Sequence, residues 1–186
     1  MILKETQTTY VDDSYESIST LMKLRAPSLC IWLILGIIIS FITSRFEEVL
    51  SSNIQVAYFM PFIVYIADAI GTQTESIYSR NLKNKKTKFI TYLHKESLIW
   101  LLFGIVFWSV AWLIALIWFH NTLLALSVGI ATCIAVALSP LLALTITHIS
   151  ATIHQDPAAS SWPITTVIQD LMSIVIYGLV ASRILL

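Results

Sequence analysis

A chain of 186 residues that is 57% hydrophobic and only 12% charged, with a mean hydropathy of +0.81, does not fit the soluble globular class. Its 11 basic and 11 acidic residues balance, so net charge points to no partner, nucleic acid included. No G-x-x-x-x-G-K-S/T loop is present to couple nucleotide hydrolysis to work. The composition is that of an all-α integral membrane protein.

Residues 1–26 read as a cytoplasmic N-terminal segment. The stretch up to Lys23 is polar and mildly acidic (Glu5, Asp12, Asp13, Glu16), unlike a cleavable leader with its basic start. Tyr10 to Leu24 is expected as a short helix leading into the membrane. Residues 27–186 then form one transmembrane domain of five spans: about Pro27 to Thr43, Ile54 to Arg80, Ser97 to Phe119, Leu123 to Ile149 and Pro163 to Leu185. Pro27 and Pro163 fall at expected helix starts, where a missing N–H costs little. Pro61 and Pro140 fall inside spans, where proline marks a kink or a cavity-lining break. From Ser97 to Gln155 there is no Asp, Glu, Lys or Arg, a run too long for one helix. Its turn is expected at His120-Asn121, just after the interfacial aromatics Trp118 and Phe119.

Basic residues set the orientation. With five spans, Lys4, Lys23, Arg25, Arg80, Lys83, Lys85, Lys86, Lys88 and Lys95 share one side, leaving only Arg45 and Arg183 on the other. The positive-inside rule makes the first side cytoplasmic, so the N-terminus is inside and the C-terminus outside. Cys30 and Cys133 lie in apolar spans and read as core residues, with no disulfide or zinc pattern. His120, His148 and His154 match no metal-binding spacing and read as interface or loop residues.

Two carboxylates stand out. Asp68 and Asp170 lie in otherwise apolar spans, where an acid at the helix centre costs roughly 2.5–3.5 kcal/mol on insertion scales unless it faces a cavity, a partner or an ion. Residues at i, i+4 and i+7 share a helix face. Asp68, Thr72, Glu75 and Ser79 fall on such a line in the second span, flanked by Gln73 and Thr74. Thr166, Asp170, Ser173 and Tyr177 do so in the fifth, beside Thr165 and Gln169, and Thr145, His148 and Thr152 make a weaker line in the fourth. Aligned oxygens of this kind suit a hard cation such as Mg²⁺, gripped with much of its water in place. Polar side chains also join helices in membranes, so Thr, Ser and Gln carry both readings. Glu75 is equally placed to pair with Arg80 or the Lys cluster.

At these residues the chain resembles the membrane domain of the MgtE magnesium transporter and channel family. The likeness rests on Arg25-Ala26-Pro27 entering the first span and Phe46-Glu47 at its outer end. It continues through Pro61, Gly71-Thr72-Gln73 and Arg80-Asn81-Leu82 in the second, then Asp156-Pro157-Ala158 and Thr165-Thr166 followed by Asp170 around the fifth. These motifs stand in the family's order from about Val11 to Leu186. The resemblance implies five membrane helices in a homodimer embedded in the lipid bilayer of the inner (cell) membrane. The ion path then runs along the subunit interface, with Asp170 from both subunits binding hydrated Mg²⁺. Asp156 is implied as a secondary cation contact at the cytoplasmic mouth, and also reads as a turn or N-cap residue before Pro157.

Two departures matter. Where the family carries a neutral Gly-Gly-Asn stretch, this chain has Ala67-Asp68-Ala69, adding a carboxylate and predicting tighter divalent binding or altered ion preference. The family's cytosolic N domain and paired CBS domains have no counterpart in these residues. Three alternatives follow: no feedback from intracellular Mg²⁺, a separate regulatory protein, or gating by the N-terminal helix. The expected metal residues are therefore Asp170, Asp68 and Asp156, with Thr72, Gln73, Glu75, Thr165, Thr166, Gln169 and Ser173 lining the path. No cofactor is expected beyond the transported ion. Rival readings are a non-conducting subunit of a larger complex, a proton-coupled exchanger, and an intramembrane enzyme with Asp68 and Asp170 as an acid pair. No protease or transferase motif accompanies those acids.

Overall fold

The computed structural model describes residues 17–83, 89–152 and 157–186. The regular structure among them is helical: α1 (Ile18–Ser44), α2 (Glu47–Ser52), α3 (Gln55–Lys83), α4 (Phe89–Phe119), α5 (Thr122–Thr152) and α6 (Pro157–Leu185). Four segments, Gln55–Leu82, Phe89–Phe119, Thr122–Thr152 and Ile164–Leu185, are long and apolar enough to cross a bilayer. A shorter apolar stretch, Leu29–Ser44, belongs to α1. Residues up to Ile38 form one compact unit and Ile39–Leu186 a second. In the first unit Ile18, Met22, Leu29, Leu33 and Ile37 are exposed, an apolar surface suited to lipid or protein cover.

The second unit is built around α5. That helix packs against α4, α6 and α3, and α3 packs against α6. Its sequence explains its place: Ala131, Ala135, Ser139, Ala143 and Thr147 recur every fourth residue and are all buried. Small side chains in that register let neighbouring backbones approach, which is how membrane helices gain van der Waals contact without a hydrophobic driving force. Gly129 shows how tight the fit is. A Cβ there would lie 2.8 Å from the Trp108 ring and 3.1 Å from Trp112 Cβ. By contrast α4 buries a narrow stripe, Trp100, Gly104, Ala111 and Ala115, and turns large residues such as Leu102, Ile105, Leu113 and Trp118 outward.

The turn between α4 and α5 falls on His120 and Asn121, as the sequence predicts. His120 takes the left-handed conformation (φ 52) that closes a helix, its N–H donating to Leu116 O at 2.9 Å. Asn121 caps the next helix, its Oδ1 accepting from the Leu124 N–H at 3.1 Å. Neither end needs a longer loop.

Helix starts depart from expectation at both prolines. α1 is already helical at Ile18 and runs through position 27, so residues 18–24 of the expected short helix continue into it; residues 10–16 lie outside the described residues. α6 begins at Pro157, which takes the first-turn role assigned to Pro163, and position 163 is interior. α3 and α5 likewise continue through Pro61 and Pro140 instead of breaking there. In a membrane helix the freed carbonyl finds a neighbouring donor, so a proline need not end it. The short helix α2 was not expected. Val49, 0% exposed, anchors it in a cluster with Val56, Tyr177 and Ala181 of α3 and α6.

Candidate functional site

Packing α3 on α6 brings the two polar lines together. Asp68 and Asp170 are both partly accessible, one on each of the two packed helices. Thr166 of α6 is a side-chain hydrogen-bond partner of Asp68, while Asp68 Oδ1 has no partner among the described residues. Two like charges held close in a low-dielectric setting repel strongly. A cation placed between them would offset that repulsion, and Asp68 Oδ1 would be free to accept from its water shell.

Each line splits along its length. On α3, Asp68 and Thr72 remain partly accessible and Gln73 is exposed, whereas Thr74 (1% exposed), Glu75 (4%) and Ser79 (7%) are buried. Along α6, Thr166 and Asp170 are partly accessible, whereas Thr165, Gln169, Ser173 and Tyr177 are buried. The accessible part of each line contributes one aspartate and one threonine, Asp68 with Thr72 and Asp170 with Thr166, and the remainder faces the interior of the chain. Gln73 also borders an open groove of about 670 Å³ between α3 and α4, where Glu96 accepts from Trp100 Nε1 at 2.7 Å. Asp156 lies outside the described residues.

Behind the carboxylates sits a three-helix hydrogen-bonded knot. Gln169 Nε2 donates to Ser139 O (3.0 Å) and to Ser139 Oγ (2.6 Å), and the Ser139 hydroxyl in turn donates to Ala67 O. The chain of donors fixes the amide orientation, because a backbone carbonyl only accepts and the serine proton is already committed to Ala67. Gln169 Oε1 is left as a buried acceptor without a partner among the described residues. Gly71 makes room for this carboxamide: a Cβ there would overlap its nitrogen, carbon and oxygen outright. Gly71-Thr72-Gln73 is one of the motifs read in the sequence, and its glycine is now explained. Ser139 was not read as functional. The signal available was a serine immediately before an intramembrane proline, in a run free of Asp, Glu, Lys and Arg.

His148 and His120 take structural places. His148 Nδ1 is 3.0 Å from the Tyr78 hydroxyl and its ring stacks on Phe89 at 4.3 Å; His120 lies in the exposed turn, and His154 is outside the described residues. Cys30 and Cys133 are free thiols. Among the described residues no group of three or more His, Cys, Asp or Glu side chains is placed to hold a metal.

Residues 60–180 match the MgtE family, described as divalent cation transporters. The chain is 28% identical over 162 residues to a magnesium transporter MgtE of Bacillus subtilis (strain 168). It is 30% identical over 161 residues to a magnesium transporter MgtE of Enterococcus faecalis (strain ATCC 700802 / V583). Each match covers 85% of this chain but 36% of the relative, so the chain spans about a third of the length of these curated relatives. With the matched segment running from α3 through α6 over four membrane-crossing helices, this multi-pass membrane protein belongs to the MgtE family of divalent cation transporters, a family of transporters and not of enzymes.

Proposed function

We propose that two copies of this chain form a homodimer in the cell membrane and pass Mg²⁺, or a related divalent cation, inward along a path between the copies. The observation that carries this reading is the placement of Asp68 and Asp170 on the partly accessible side of two packed helices, with the residues just before them, Ala67 and Gln169, both bonded to Ser139. Mg²⁺ demands six oxygen ligands in near-octahedral geometry and gives up its water reluctantly. One protomer offers two carboxylates and the Thr166 hydroxyl; a second copy would double that set, with retained waters completing the shell. Asp170 is the central ligand. Asp68, Thr72, Gln73 and Thr166 line its approach, and Asp156 is a secondary contact at the cytoplasmic mouth.

The driving force needs no nucleotide. Each elementary charge crossing a negative-inside membrane gains roughly 2.3 kcal/mol per 100 mV, so a divalent ion gains about 4.6. In this reading α1 is the first of five spans, the N-terminus is cytoplasmic and the C-terminus is outside.

The test is divalent uptake into proteoliposomes carrying a trapped Mg²⁺-sensitive dye. Wild-type flux should follow an imposed negative-inside potential, and Asp170→Ala should lose it. No flux from a folded wild-type dimer would shift the reading to a non-conducting subunit whose carboxylates serve assembly.

A further inference from the structure

We infer that Ser139, on a helix that carries neither carboxylate, is the positioning residue that holds Asp68 and Asp170 at their working separation. This rests on the cation-path reading above. Ser139 bonds to the two residues that immediately precede the carboxylates in the chain. Its hydroxyl donates to the carbonyl of Ala67, one residue before Asp68. Its carbonyl and Oγ accept both protons of the Gln169 amide, one residue before Asp170. One serine on α5 therefore ties α3 to α6 at the level of the acids.

Several features show a built contact. Ser139 is 2% exposed and Gln169 1%. Gly71 supplies the space the Gln169 amide occupies, one turn along α3 from Ala67. Without the knot, α3 and α6 lose the bonds that set the spacing of positions 68 and 170, and in the native chain the like charges add to the separation. Ser139 thus opposes, through backbone and amide, a repulsion that the ion relieves only when bound. It touches no ion; its effect is on where the acids stand when the site is empty and on how well they grip when it is filled.

The experiment compares wild type, Ser139→Ala and Gln169→Met, each as the full chain in lipid. The first readout is flux in the dye-loaded proteoliposomes as Mg²⁺ is varied, giving the half-saturating concentration apart from the maximal rate. The second is the rate at which a short bis-maleimide bridges Asp68→Cys and Asp170→Cys within one chain, with Cys30 and Cys133 changed to Ala. Positioning predicts a several-fold rise in half-saturating Mg²⁺ and several-fold slower bridging for either variant. The double variant should be no worse than either single, because both break the same unit. Unchanged half-saturation and bridging would overturn the inference, even if thermal stability falls, because that is how mere packing behaves. Should wild type carry no flux, or should Asp170→Ala leave it intact, the cation-path reading fails by itself and bridging alone decides the role of Ser139. Gln169→Met keeps the side-chain length and volume, so a folding failure of Ser139→Ala leaves a variant that still decides.

Discussion

Replacing Gly71 by alanine is the sharpest perturbation of the knot behind the carboxylates. The new methyl would sit closer to the Gln169 carboxamide than the 3.0 Å that real Cβ atoms keep, overlapping its nitrogen, carbon and oxygen. The amide cannot yield freely, because its two protons are committed to Ser139 O and Oγ at 3.0 and 2.6 Å. Hydrogen bonds between membrane helices average about 0.6 kcal/mol each, so expelling the amide forfeits about 1 kcal/mol. Forcing a methyl into a packed interior adds about 1–3 kcal/mol. The opposing term is helix propensity, where alanine gains about 1 kcal/mol over glycine in a helix interior. The net expectation for Gly71→Ala is a destabilisation of about 1–3 kcal/mol. Reversible unfolding in mixed detergent, followed by tryptophan fluorescence, would measure it. Gln169→Ala in the same background removes the obstacle, so the double variant should be more stable than the sum of the two single effects, with a coupling of about 0.5–3 kcal/mol. Wild-type stability for Gly71→Ala, or strict additivity in the double variant, would refute the contact.

Three further outcomes can be checked with the same preparations. Asp68→Asn removes one of two mutually repelling charges, and half-saturating Mg²⁺ in the uptake assay should rise several-fold or the preference among divalent ions should change; if neither moves, Asp68 is not on the path. Asn121→Ala deletes the cap that accepts from Leu124 N–H and should cost about 1 kcal/mol in the unfolding assay without altering half-saturation. Tyr78→Phe removes the hydroxyl 3.0 Å from His148 Nδ1, and a loss of about 0.5–1.5 kcal/mol with unchanged flux is expected.

What the sequence alone determined about this protein is local or one-dimensional. The turn at His120-Asn121 was legible because a strongly polar pair follows interfacial aromatics midway through a run, Ser97 to Gln155, that has no charge and is too long for one helix. The four long apolar helices follow from hydropathy, since a bilayer demands a continuous apolar run of set length. The lines through Asp68 and through Asp170 follow from helix period alone. Tertiary structure decided the rest. Period assigns a face but not its neighbour, so it could not tell that Asp170 stays partly accessible while the adjacent Gln169 turns inward to Ser139. Nor did spacing distinguish Thr72, on the accessible half of its line, from Glu75, buried at 4%. Ser139 lies 72 residues from Ala67 and 30 from Gln169 along the chain, and only the packing of α5 between α3 and α6 makes them partners. Proline misled at Pro27 and Pro163 because each stands inside a helix that begins upstream, and a proline within a membrane helix need not end it.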